Sequence, residues 1–160
     1  MKGLVVYDSV YGNTEQIARR IGEALGSRGG VETLRASEVD AKRFEGLDLL
    51  VVGSPTRGWR PTETVTHLLK AVGAGGLAGT KAAAFDTRIA AEDAPSGFVR
   101  FILRVGSYAA PPIARRLAKC GASLVEPPEG FYVRQTEGPL KEGELDRAAR
   151  WAERIAAEVG

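Results

Sequence analysis

The stretch Gly3-Leu4-Val5-Val6-Tyr7-Asp8-Ser9-Val10-Tyr11-Gly12-Asn13-Thr14-Glu15 joins an unbroken apolar run to a polar turn that leads into helical spacing. A short run of Leu, Val and Tyr with no polar alternation suits a strand buried on both faces, as in a parallel sheet covered by helices. Beyond it, Ile17, Ile21 and Ala24/Leu25 recur on one face of a helix predicted over Thr14–Arg28, which Gly29-Gly30 stops. The turn between them passes directly from strand to helix, where the first amides of the helix are unpaired and carry partial positive charge. Ser9, Asn13 and Thr14 add side-chain donors and Gly12 permits a tight backbone, so the loop predicts a cup for a phosphate. It has no lysine for a Walker-type loop, and its spacing does not give the dinucleotide fingerprint. The competing reading is a capped helix start that holds no ligand.

Working outward, Leu47–Gly53 and Lys81–Phe85 are apolar runs of the same kind, and Val31–Leu34 and Ala122–Val125 are weaker ones. Helical patterns lie between them. Pro61-Thr62-Glu63 opens one carrying Val65, Leu68, Leu69 and Val72; Pro111–Lys119 is another, ended by Gly121; Glu142–Glu158 places Leu145, Ala148/Ala149, Ala152, Ile155 and Ala156 on one face. Strand–helix alternation implies right-handed crossovers and an α/β fold with a parallel sheet covered on both sides. Five strands in 160 residues make an open doubly wound sheet, since a closed barrel takes about 250 residues. The expectation is one domain over residues 1–160. Two segments break the alternation. Phe98, Phe101, Ile102 and Val105 form one helical face, with Arg100 and Arg104 on another, and Glu126–Gly138 reads as an interrupted or edge strand.

Ligands of open α/β sheets bind beyond the carboxyl ends of the strands, so the loops after Gly53 and Phe85 matter as much as the first. The second, Gly53-Ser54-Pro55-Thr56-Arg57-Gly58-Trp59-Arg60-Pro61, offers a flat aromatic in Trp59, either as a stacking surface or as cover for the sheet edge. The third is Phe85-Asp86-Thr87-Arg88-Ile89.

Ser9-x-Tyr11-Gly12-Asn13-Thr14 resembles the phosphate loop of flavodoxins, whose pattern is Thr/Ser-x-Thr/Ser-Gly-x-Thr, and departs from it at Tyr11. The second loop is similar to the one bordering the isoalloxazine ring in flavodoxins and in flavodoxin-like quinone reductases. The resemblance covers nearly the whole chain. It implies a flavodoxin-like open doubly wound five-stranded parallel sheet in the order 2-1-3-4-5, with helices on both faces, and FMN as cofactor. Carried over position by position, it implies cofactor contacts from Ser9, Val10, Tyr11, Gly12, Asn13 and Thr14 on the phosphate side. Pro55, Thr56, Arg57, Gly58 and Trp59 border the ring, with Trp59 stacking and the Arg57–Gly58 peptide turning toward flavin N5. Asp86, Thr87 and Arg88 occupy the second ring-binding loop, where the family's usual tyrosine is missing and Tyr108 or Phe98 is left to replace it. Arg57 and Arg60 near the ring favour a negatively charged reduced flavin.

The implied function is that of an FMN-binding flavoprotein in electron transfer or flavin-dependent reduction, served by a redox protein partner or an NAD(P)H-linked reductase. The alternatives are an FMN-dependent NAD(P)H:quinone reductase and a cofactor-less module using residues 98–105 as a contact surface, the same segment that offers a homodimer face. These readings do not separate an enzyme from an electron carrier. Electron-carrier flavodoxins are strongly acidic; this chain, at net charge +2 and pI near 8.8, is not. That balance also argues against nucleic acid, which calls for a concentrated basic face. Cys120 stands alone, so an internal disulfide is excluded. Met1–Tyr7 lacks the layout of a secretory signal and no apolar run is long enough to span a bilayer, so a cytoplasmic, membrane-free protein is expected. Gly73–Gly79 has glycines at the wrong spacing for a nucleotide and reads as a helix stop, while His67 reads as surface or core edge rather than catalytic.

Overall fold

The computed structural model describes residues 1–105 and 108–160, with side chains given for all of these except 102–105. Its strands are β1 (Gly3–Tyr7), β2 (Val31–Arg35), β3 (Leu49–Pro55), β4 (Lys81–Ile89), β5 (Ser123–Leu124) and β6 (Glu129–Val133). Its helices are α1 (Asn13–Gly26), α2 (Glu63–Lys70), α3 (Gly97–Val105), α4 (Ala110–Lys119) and α5 (Glu144–Val159). The sheet is parallel in the order β2-β1-β3-β4-β5, with β6 also paired to β4. Because the chain steps from β1 to β2 on one side and then back to β3 on the other, strand order reverses at β1 and β3. That is the switch point at which a crevice opens.

The period-two geometry of strands sorts the apolar runs into two cores. Leu4, Val6, Leu50, Val52, Ala82 and Ala84 face α2 and α4, where they meet Leu69, Ile113 and Leu117. Val5, Tyr7, Leu49, Val51, Ala83 and Phe85 face α1 and α5, packing on Ile17, Ile21, Trp151 and Ile155. No helix among the described residues is long and apolar enough to cross a membrane.

Two boundaries differ from the sequence reading in ways that shape the site. β4 does not end at Phe85 but continues through Asp86, Thr87 and Arg88 to Ile89, pairing Ser54↔Asp86 and Pro55↔Thr87 with β3. The expected third loop is therefore strand, and its polar residues misled because buried polar side chains resemble a loop in sequence. The fifth strand position is shared: β5 pairs with Lys81–Ala82, β6 with Phe85–Ile89, and the Pro127-Pro128 pair breaks the ladder between them. On α3, Phe98 is 74% exposed and Phe101 60%, while Ile102 and Val105 of the expected apolar face, and Arg104 of the other, lie outside the described side chains.

Candidate functional site: a cleft and shelf at the carboxyl edge

The turn after β1 is shaped by Gly12, whose φ of 91° is left-handed and which precedes the first residue of α1. Ser9 stands in for a helix cap: its Oγ accepts from the amides of Gly12 (3.0 Å) and Glu15 (3.3 Å). Because that oxygen only accepts, the Ser9 hydroxyl proton stays available to donate, whereas the side chains of Asn13 and Thr14 have partners within the protein. Asn13 Nδ2 donates to the Glu137 carbonyl at 3.2 Å, and the hydroxyls of Thr14 and Thr87 lie 2.7 Å apart. The main chain remains. Among the described residues, the amides of Val10, Tyr11, Asn13 and Thr14 have no protein acceptor, and they cluster at the N-terminus of α1. Two carboxylates beside this cup are paired with cations, Glu15 lying 3.1 Å from Arg19 and 3.7 Å from Arg35. Glu15 accepts from the Tyr7 hydroxyl at 2.6 Å and Asp8 lies 3.6 Å from Arg35, whose guanidinium also donates to the Ser9 carbonyl at 2.9 Å. The Tyr7 hydroxyl, helped by Arg19 and Arg35, holds the Glu15 carboxyl below the usual glutamate range.

A cleft opens above the cup, lined by Ser9, Val10, Tyr11, Asn13, Thr14, Pro55, Thr56, Arg57, Thr87 and Arg88, together with Ile89, Val133 and Thr136. Beside it lies an apolar shelf bordered by Thr56, Gly58, Trp59, Arg88, Ile89, Pro95, Val99 and Tyr108. The two share Thr56, Arg88 and Ile89. The loop after β3 is a tight hairpin. Arg57 and Arg60 exchange backbone hydrogen bonds at 2.8 and 3.2 Å, and Gly58 and Trp59 both have positive φ, 54° and 68°. Holding a tryptophan in the left-handed region costs about 1–2 kcal/mol, and it leaves Trp59 43% exposed at the shelf. Thr56 ties this hairpin to α4 by accepting from the Ala109 amide at 3.1 Å.

Asp86 lies under the site rather than on its lining. It is fully buried, and its oxygens accept from Arg88 Nε (2.7 Å), Arg88 Nη2 (2.6 Å) and the Ala110 amide (2.9 Å). Burial pushes its carboxyl up from the ordinary aspartate range, against the pull of Arg88. Of the two aromatics considered in place of the family's tyrosine, Tyr108 borders the shelf and Phe98 does not. Ile89, Val133, Thr136, Pro95 and Val99 were not legible as site residues, since each is an ordinary small or apolar residue that only the fold brings to the edge. His67 is exposed on α2 and Cys120 is buried.

These features define an open α/β sheet protein with unpaired main-chain amides at its switch point and an apolar, aromatic-bordered shelf beside them. Residues 4–97, more than half of the chain's 160, match the flavodoxin domain model. The chain belongs to the flavodoxin-domain family. Among solved structures it is similar to oxidised Flavodoxin 1 from Bacillus cereus, at 19% identity over 98% of both chains with a TM-score of 0.80. It is also similar to Flavodoxin 2 from the same organism, at 24% identity over 99% of both chains with a TM-score of 0.78. Against rubredoxin oxygen:oxidoreductase from Desulfovibrio gigas, 99% of this chain aligns with 36% of that one at 19% identity and a TM-score of 0.74. Identities this low establish a shared fold. No curated protein matches the chain by sequence.

Proposed function

We propose that the protein binds FMN and works as a flavoprotein in electron transfer or flavin-dependent reduction. The observation that carries this reading is the pairing of a main-chain anion cup with an apolar aromatic shelf across one continuous edge. The donor set fits the cofactor. Four unpaired amides suit a phosphate, to which hydrogen bonds are charge-assisted, and Trp59 and Tyr108 suit a planar ring. When bound, FMN supplies the exchange of one or two electrons.

The chain's own residues then do the rest. The amides of Val10, Tyr11, Asn13 and Thr14 hold the phosphate, and Gly12 sets their direction. Thr56 and the hairpin would hold Trp59 as a stacking surface for the ring. The electrons come from, or go to, a redox protein partner or an NAD(P)H-linked reductase.

Equilibrium titration of the ligand-free protein with FMN and with riboflavin tests the reading. FMN should bind with flavin absorbance changes and be held at least about tenfold more tightly than riboflavin, the least that one charge-assisted hydrogen bond supplies. Equal affinity for the two would remove the cup's assigned ligand; no uptake of either would remove the function.

A further inference from the structure

We propose that Arg88 is a fixed cation built into the shelf to stabilise the negative charge a flavin ring gains on reduction, an inference that rests on the FMN reading above. Arg88 borders both the cleft and the shelf, and among the described residues lining the shelf it is the only charged one. An arginine there is expensive: burying an ion costs several kcal/mol, and a buried pair is weak evidence of a stabilising role. Yet the fold goes to some length to keep it.

Two contacts and a gap made for it immobilise the side chain, which is only 15% exposed. Asp86 grips the guanidinium with both oxygens, at 2.7 and 2.6 Å. Tyr108 lies under it, with its ring centroid 3.7 Å from the guanidinium carbon. Gly130 of β6 makes the room: a Cβ there would sit 2.2 Å from Arg88 Nε and 2.3 Å from Cζ. That glycine lies inside a strand and its φ is not in the left-handed region, so space alone accounts for it. The pair is also oriented. Asp86 is sealed beneath, held by the Ala110 amide at 2.9 Å, and does not line the shelf, so the cationic end is the one that the shelf presents.

A neutral hydrogen-bonded pair would brace β4 to α4 equally well; it would not place charge at the shelf. Oxidised FMN has an uncharged ring. Two electrons from a reduced redox protein or a reduced nicotinamide, with one proton from solvent, give a reduced ring bearing one net negative charge. No bond to the protein forms or breaks. A guanidinium against that ring favours the reduced state over the oxidised one, which appears as a less negative midpoint potential.

The test is a two-electron midpoint potential of bound FMN, from dithionite titration with reference dyes, alongside the dissociation constants of oxidised FMN and riboflavin. The wild type is compared with Asp86→Asn/Arg88→Gln, which keeps a hydrogen-bonded pair without charge, with Gly130→Ala, which displaces the guanidinium and keeps both charges, and with Arg88→Lys. The neutral pair should shift the potential to more negative values, the ratio of reduced to oxidised affinity falling about tenfold. Gly130→Ala should shift it the same way by less, and carries the test if the neutral pair does not fold. Arg88→Lys should stay near the wild type. An unchanged potential in the folded variants overturns the proposal and leaves Arg88 a brace. Loss of the preference for FMN over riboflavin, at unchanged potential, also overturns it by making Arg88 a phosphate contact. A wild type that takes up no flavin removes the FMN reading, and this inference with it.

Discussion

Gly12 and Gly53 illustrate two different demands for the same residue. A Cβ on Gly12 would meet nothing within 4 Å, but its φ of 91° is left-handed. A Cβ on Gly53 would lie 2.0 Å from Phe85 Cζ, and that ring is wedged edge-on between Phe131 and Trp151 at 6.0 and 6.1 Å. Gly12→Ala should therefore cost about 1–2 kcal/mol of stability through the backbone and weaken FMN retention by turning the cup's amides. Gly53→Ala should cost about 1–3 kcal/mol through overpacking. Urea denaturation measures both. Glu15 gives a pH dependence. Its carboxyl is held below the usual range by the Tyr7 hydroxyl, so its contribution is complete above the ordinary glutamate range and is lost as pH falls through the lowered value. Stability should drop on acidification in that window, and Glu15→Gln should flatten that part of the curve. At this scale the sequence was readable where a residue's chemistry is local. The cup's glycine and helix start could be inferred from Gly12-Asn13-Thr14. The fate of Asp86 could not, because its partners are the amide of Ala110 and a gap left by Gly130, and nothing near Asp86 in the chain announces either.

Among the elements, the hairpin between β3 and α2 stores strain next to the shelf. Trp59 at φ 68° is unfavourable for the fold, and on the FMN reading its exposed ring offsets that strain by covering the flavin. Trp59→Gly should leave the thermal midpoint of the ligand-free protein unchanged or higher, while FMN affinity falls up to about tenfold through lost stacking. Parallel thermal and binding titrations check both arms, and equal losses in the two would make Trp59 ordinary packing. The strands β1, β3 and β4 were legible because each is an apolar run buried on both faces. The length of β4 was not, since three polar residues at its end, Asp86, Thr87 and Arg88, stay in the ladder with their side chains satisfied by distant parts of the chain. The halves of the fifth strand position looked like two separate segments because only their shared neighbour, β4, shows them to be one.

For the molecule as a whole, a ligand that bridges the ends of β1, β3 and β4 couples binding to global stability. FMN at about a hundred times its dissociation constant should stabilise the protein by ~2.7 kcal/mol, a rise of about 5–10 °C in Tm by calorimetry; riboflavin at the same concentration should raise it less. The family and sheet order were accessible from three segments in the right sequence, even though the third, read as a loop, is strand, whereas the shelf's far wall, Pro95, Val99 and Tyr108, needed the fold to bring it round. The divided fifth strand has one more effect, on how the protein behaves in a crowd. The outer rim of β6 is already occupied, since Lys141 donates to the Tyr132 carbonyl at 2.8 Å and Arg134 to that of Pro139 at 2.9 Å. Upstream, β5 is two residues long and is followed by two prolines. A foreign strand seeking to extend the sheet on that side finds no continuous row of donors and acceptors, which guards a concentrated solution against edge-to-edge polymerisation.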